Sequence, residues 1–153
     1  MSGEACPLPI DSGDADERAA IRRMLAATRI AIVGLSDDPS RPSHGIAQYL
    51  LAHGKQIIPV NPNYERVLGL KCYASLGDIP EPIEVVNVFR RPEYCAAVVE
   101  DAIARQAKGV WLQAGIRSRE ARQLAAEAGI DYVEDHCIMV EHMRFRSPPS
   151  GKA

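Results

Sequence analysis

Short runs of β-branched and aliphatic residues alternate along this chain with Ala-rich amphipathic stretches, the signature of βαβ units building a parallel sheet. Ile21, Met24 and Leu25 form an apolar stripe at helical spacing, predicting a helix over Asp14 to Ala27 with Asp14 or Asp16 as its N-terminal cap. Arg29-Ile-Ala-Ile-Val-Gly34 follows as a continuous apolar run, as expected of a strand covered by helices on both faces. A polar loop from Leu35 to Pro42 leads into a helix from Ser43 to about His53, closed by Gly54. The second strand is Gln56 to Val60, ended by the turn former Asn61-Pro62-Asn63. After an irregular segment come a strand over Glu84 to Phe89, a helix from Pro92 to about Gln106, and a strand over Gly109 to Gln113. A helix over Ser118 to Ala128, a strand over Ile130 to Val133 and a short C-terminal element from Cys137 complete the pattern. The fold class this predicts is α/β: a Rossmann-like, doubly wound, mainly parallel five-stranded sheet with helices on both faces. One domain spans residues 14–146, with residues 1–13 a flexible N-terminal lead and 147–153 a flexible tail, both rich in Pro, Gly and Ser.

Composition narrows the partners. The chain has 153 residues, 46% hydrophobic and 25% charged, with a net charge of −2, which is ordinary globular composition with no basic footprint for general nucleic-acid binding. No apolar run approaches membrane-spanning length, and the first residues lack the basic and apolar blocks of a secretory signal. The 4 cysteines are scattered without a Cys-x-x-Cys pair, so they read as reduced thiols of a cytoplasmic protein and not as a metal module.

In an open parallel sheet, ligands bind outside the carboxyl ends of the strands where strand order reverses. That rule selects five loops. Gly34 to Ser43 joins a strand to a helix, where backbone N–H groups and the helix dipole favour a phosphate. Gly34 permits the tight exit; Ser36, Ser40 and Ser43 add hydroxyls, and Arg41 adds a planar cation. A plain turn with Ser43 as helix cap is the alternative. The loop is not a Gly-x-Gly-x-x-Gly fingerprint, because Ser36 and Pro39 stand where glycines would, and Asn61-Pro62-Asn63 replaces the acidic residue that clamps the ribose of NAD. Asn61 could bond a base or phosphate, or simply turn the chain, and Pro62 offers an apolar ledge. Phe89-Arg90-Arg91 places two cations beyond a buried strand, as a phosphate site or as solvated charges. Trp111 reads more as core than as pocket lining; Gln113 at the strand end is the better ligand candidate, with Gly115 allowing close approach or a turn. His136 and Cys137 point to opposite sides of extended chain and lack a second ligand pair, so a metal site and a thiol catalyst are both disfavoured, and no catalytic residue is assigned. His44 and His53 read as surface or capping residues.

Together these pieces resemble the CoA-binding domain family, the Rossmann-like domain also found at the N-terminus of the succinyl-CoA synthetase alpha subunit and in ADP-forming acyl-CoA synthetases. The resemblance rests on Ile32-Val-Gly-Leu-Ser36 with Arg41 and Ser43, Ile58-Pro-Val-Asn-Pro62, Val86-Asn-Val-Phe-Arg-Arg-Pro92, Trp111-Leu-Gln-Ala-Gly-Ile116 and Asp135-His-Cys-Ile-Met139 with Glu141-His142, each at a strand end, over Ile21 to Arg146. It implies CoA or an acyl-CoA as a small-molecule nucleotide ligand. Ser36, Arg41 and Ser43 would meet phosphates, Asn61 and Pro62 the nucleotide, Val88, Phe89 and Arg90 the third loop's share, and Gln113 and Gly115 the pantetheine end. His136 stands where the stand-alone members usually carry Arg. The ligases of this family hold their phosphohistidine in a second domain for which this length leaves no room, so the resemblance implies binding without ligation, regulating or accompanying a partner enzyme or a second copy. The alternative is a small NAD(P)- or CoA-thioester-dependent enzyme using Cys137 or His136.

Overall fold

A computed structural model describes the backbone of residues 7–146 and the side chains of residues 15–146. Its α/β, Rossmann-like core is a sheet of five parallel strands in the order β2-β1-β5-β6-β7, made of β1 (Arg29–Val33), β2 (Gln56–Val60), β5 (Val85–Val88), β6 (Gly109–Leu112) and β7 (Asp131–Val133). Each strand falls within the run that predicted it. Consecutive strands are joined by α2 (Pro42–Ala52), α3 (Pro92–Ala104) and α4 (Arg119–Ala128), while α1 (Pro7–Leu25) precedes the sheet and α5 (Ile138–Arg146) follows it.

Alternation along each strand divides the core in two. Ile30, Ile32, Ile57, Val85, Trp111 and Val133 face α1, α2 and α5. Ala31, Val33, Ile58, Val60, Val86, Val88, Val110 and Leu112 face the layer holding Cys95, Val98 and Val99 of α3 and Ala121 and Ala125 of α4. Both faces are dry, and so the strands read as unbroken apolar runs. Trp111 is fully buried, and its indole Nε1 donates to the His136 carbonyl at 2.8 Å, giving the ring its polar partner inside the core. Pro59 sits on edge strand β2, where its missing N–H removes no bond to β1.

Two local features depart from the sequence reading, and a third fills in what it left open. The first helix begins at Pro7 instead of Asp14, so residues 7–13 of the expected flexible lead are helical, and Asp14 and Asp16 lie within the helix and not at its start. Residues 1–6 of that lead and the expected tail 147–153 lie outside the described residues. The segment read as irregular contains a hairpin, β3 (Arg66–Val67) paired antiparallel with β4 (Leu70–Lys71), turned by Leu68 and Gly69 at φ +55° and +74°. Two successive positive φ values suit a primed hairpin turn, but Leu in that position lacks the Asn-Gly signal that announces one. The chain's end is a helix, α5, wedged against α1 and α2.

The α2–α5 seam buries His142, with only 5% of its surface exposed, where Tyr49 Oη and His142 Nδ1 share a hydrogen bond of 2.8 Å. His53 packs on the same tyrosine with ring centroids 4.0 Å apart. Burial, reinforced by the positive charges of Lys55, His53 and Arg146, holds His142 below the ordinary histidine value. The unfolded chain therefore binds a proton at His142 more readily than the folded one, so stability present above about pH 6.5 is lost as pH falls from there through the depressed folded value. Melting temperature measured from pH 7.5 to 5.5, above the range where carboxylates titrate, is expected to fall, and His142→Gln should flatten that slope; an unchanged slope in the variant would remove His142 as the cause.

Candidate functional site

In chain order the sheet strands run second, first, third, fourth, fifth, so the direction of winding reverses between β1 and β5. The chain leaves β1 for α2 on one face and leaves β5 for α3 on the other. Between these two exits lies the crevice where doubly wound folds take their ligands. Gly34 shapes it. At φ +88° its amide donates to the Val60 carbonyl at 2.8 Å, and a Cβ at this position would collide with the carbonyl oxygen of Phe89. The Phe89 amide in turn donates to the Val33 carbonyl at 2.8 Å, so the two exits are stitched side by side.

The loop after β1 is organised by its own side chains. Ser43, 4% exposed, accepts from the Ser36 amide at 3.0 Å, and Ser36 Oγ accepts from the Asp38 amide at 3.0 Å. Asp38 takes the Ser40 amide at 3.0 Å and its hydroxyl at 2.8 Å; with nearby Arg41 these hold the carboxyl below the usual range. These turns leave the amides of Leu35, Asp37 and Ser43 without a protein acceptor among the described residues. Helix α2 starts at Pro42, one residue before the expected Ser43, and its N-cap position is held by Arg41 with no side-chain cap. Ser43 therefore anchors the loop instead of capping the helix. The Arg41 side chain is exposed and makes no hydrogen bond or ion pair among the described residues.

The exit from β5 repeats this design. Pro92 opens α3, and Arg91 occupies an N-cap position that again has no side-chain cap. Arg90 is half-buried, its guanidinium 4.7 Å from the centre of the Tyr94 ring. Tyr94 was not singled out from the sequence, although its place one turn into a helix after Arg-Arg-Pro is a readable signal. By contrast, α4 has an ordinary cap: Ser118 Oγ accepts from the Ala121 amide at 3.1 Å. The two exposed helix N-termini with arginines beside them make this crevice suited to anions.

Other expected site residues hold the scaffold. Asn61 Nδ2 donates to the Leu35 carbonyl at 3.1 Å while its Oδ1 accepts from the Asn63 amide at 2.9 Å, so the side chain ties the ends of β1 and β2 together. Pro62 beside it is exposed. Val88 is sealed in the core, leaving its backbone to support β6, and Phe89 is half-buried against the opposite layer. Gln113, 5% exposed, accepts through Oε1 from Asn87 Nδ2 at 3.2 Å and from the Ile138 amide at 3.0 Å. Gly115, at φ +85°, gives its amide to Asp135 at 2.7 Å; nothing presses on the place of a Cβ, so the turn and not close packing demands the glycine. Sequence reading missed Asn87, a fully buried polar residue in an otherwise valine strand, and read His44 as a surface or capping residue although it is 7% exposed.

His136 and Cys137 do not form a nucleophile pair. His136 Nδ1 lies 3.2 Å from Glu141 and Nε2 3.4 Å from Glu17, so the ring bridges α1 and α5. Nearby, Glu134 is buried; burial pushes its carboxyl up, but hydrogen bonds from Arg122, Tyr132 and the Ser118 amide outweigh this and hold it below the usual range. Its partner Tyr132 is pushed up by burial and by that carboxylate. Among the described residues no three His, Cys, Asp or Glu side chains gather as metal ligands. A cleft of about 600 Å³ beside β7 is lined by Asp16, Arg23, Arg122 and Asp131, and Asp131 is already bonded by Arg23 at 2.9 and 2.8 Å. A second, of about 510 Å³, lies at the opposite end of the sheet around Thr28, Gln56 and Lys108. Neither adjoins the winding reversal, which keeps the best chemistry for an anionic ligand.

Gly34→Ala is expected to destabilise the protein by about 2 kcal/mol or more, from the left-handed backbone and the collision with Phe89 combined. Chemical denaturation would measure it, and a loss below about 0.5 kcal/mol, the ordinary range of a surface substitution, would contradict the contact.

The comparisons with known proteins follow the same outline. A solved structure, a hypothetical protein from Pyrococcus horikoshii OT3, superposes with a TM-score of 0.81 at 46% identity over 86% of this chain and 92% of that one. Uncharacterized protein YneT of Bacillus subtilis (strain 168) is 42% identical over 126 residues, 82% of this chain and 93% of YneT. The ADP-forming acetate-CoA ligase II of Archaeoglobus fulgidus is 27% identical over 114 residues, 73% of this chain but 16% of the ligase, which this domain therefore spans only in small part. The family model described as CoA binding domain matches residues 28–143, from the start of β1 into α5, and with that match the chain belongs to the CoA-binding domain family.

Proposed function

We propose that this protein binds coenzyme A or an acyl-CoA in the crevice between β1 and β5 and does so without chemistry of its own, as a cytoplasmic accessory to another enzyme. The observation that carries the reading is the pair of uncapped, proline-led helix N-termini, each preceded by an arginine, that meet where the winding reverses. CoA carries a diphosphate and a 3′-phosphate, and two such ends supply N–H donors and cations for two separate anions. Leu35, Asp37 and Ser43 would give amides, and Arg41, Arg90 and Arg91 would give charge. Asp37 and Asp38 sit in the same loop and oppose an anion, which places the attractive work on the arginines and amides nearer the helix start. Pro62 offers a flat apolar surface for adenine, and Asn61-Pro62-Asn63 in place of an acidic residue at the end of β2 disfavours a ribose clamp of the NAD type. Bound CoA would contribute a thiol able to carry an acyl group as a thioester. The engagement of His136 with Glu17 and Glu141 supports a structural role for that residue over acid–base work.

Calorimetric titration of the intact protein with CoA, NAD and ATP tests the reading. Saturable heat with CoA is expected; saturable binding of NAD with none of CoA would overturn it. Arg41→Ala should weaken CoA by about 1–3 kcal/mol, the value of a charge-assisted hydrogen bond. Because the Arg41 side chain is exposed and makes no hydrogen bond or ion pair among the described residues, the melting temperature should stay within a degree or two of the parent.

A further inference from the structure

Hydrogen-bond direction is ambiguous for most amide side chains, because oxygen and nitrogen look alike. At Gln113 the backbone removes the ambiguity. The Ile138 amide can only donate, so the atom it meets at 3.0 Å must be Oε1 of Gln113. Asn87 touches the same Oε1 at 3.2 Å and must therefore offer its Nδ2, which also reaches the Trp111 carbonyl at 3.3 Å, an acceptor only. Asn87 is fully buried, and its own Oδ1 has no partner. Leaving that oxygen unpaired costs about 1–3 kcal/mol, so the arrangement is not explained by internal satisfaction of Asn87. What it achieves is polarity at Gln113. With Oε1 turned inward and doubly bonded, the NH2 group of a side chain that is 5% exposed faces the other way, bonds to no protein acceptor among the described residues, and is not sealed from solvent. It sits at the carboxyl end of β6, beside β5 and its exit loop.

We propose that Asn87 is a positioning residue that locks the Gln113 amide with its NH2 group toward the crevice, so that the site meets its ligand there with a hydrogen-bond donor and selects a carbonyl or phosphoryl oxygen. The inference rests on the CoA reading above and deepens it: the pantetheine arm carries amide carbonyls, and an acyl thioester adds another. A ligand presenting a donor at that point meets a like group and gains nothing.

Gln113→Glu separates this from a structural role. Glutamate keeps an inward oxygen for Ile138 and Asn87 and replaces only the outward NH2, so at pH 8, where an ionised carboxylate offers no donor, the protein should stay folded while CoA affinity falls about tenfold, the worth of one well-formed hydrogen bond. The loss should persist from 0.05 to 0.5 M salt; a loss that salt abolishes would be long-range repulsion of the phosphates and would overturn the proposal. Side-chain amide resonances give the direct readout. In ligand-free protein the Asn87 NH2 should be protected from hydrogen exchange and the Gln113 NH2 unprotected, the latter becoming protected on adding CoA. Wild-type CoA affinity in Gln113→Glu, or a Gln113 NH2 already protected in the free parent protein, would overturn the lock while leaving CoA binding intact. If the parent protein binds NAD and no CoA, the functional reading fails and the lock loses its ligand with it.

Discussion

The carbonyl of Phe89 lies so close to Gly34 that no side chain fits between the exits of β1 and β5. Much of the site follows from that contact. Two parallel strands side by side would ordinarily send their following helices over the same face, and their loops would then cover each other. Here the winding reverses between them, so α2 and α3 leave to opposite faces and the strand ends stay uncovered. The glycine keeps those ends at backbone distance. A β-carbon at residue 34 would push the loops apart.

Electrostatics then distinguishes this end of the sheet from the rest of the molecule. A helix N-terminus normally satisfies its orphan N–H groups with a Ser, Thr, Asp or Asn cap. Helix α4 does so through Ser118, whereas α2 and α3 open on proline behind an arginine and are left without side-chain caps. Proline fits the first turn at no cost, since the N–H it lacks would have been unpaired there. The arrangement is poor for helix stability and good for receiving an anion. Elsewhere the charged groups neutralise one another: Arg23 with Asp131, Arg122 with Glu134, and Arg117 with Asp135 and Glu134. With a net charge of only −2, the proposed attraction for phosphate would rest on where Arg41, Arg90 and Arg91 are placed and not on the total.

The strands were legible in the sequence because a sheet buried on both faces must be written in uninterrupted Val, Ile, Leu and Ala, and such runs have few other uses. Helix ends were legible to within a residue or two wherever Pro or Gly marked them, as at Pro92 and Gly54, and failed at the first helix, where two aspartates looked like caps. The hairpin at Arg66 to Lys71 was hidden because its turn is Leu-Gly. For the site, residue type told which loops carry donors but not which way those donors point. Ser43, Asn61 and Gln113 are polar for reasons that spacing cannot reveal: Ser43 bonds the Ser36 amide within its own loop, Asn61 the Leu35 carbonyl after β1, and Gln113 the first amide of α5. Asn87 was the readable clue that went unused, since a polar side chain in a run of valines is far more informative than another valine.

The C-terminal helix is bound to the same strand ends. The Trp111 indole reaches the His136 carbonyl, and Gln113 Oε1 receives the first amide of α5, so β6 carries two polar hooks for the chain that follows β7. Both hooks are buried or nearly so, and each loses its partner if α5 lifts away, leaving a donor or acceptor stranded in the core at a cost comparable to a lost hydrogen bond. The helix is therefore fixed at its start by the atoms that also set the polarity of the crevice. Its outer surface exposes Val140, Met143 and Phe145, which the core does not need. The strand end after β6 and the start of the last helix thus share one hydrogen-bond acceptor.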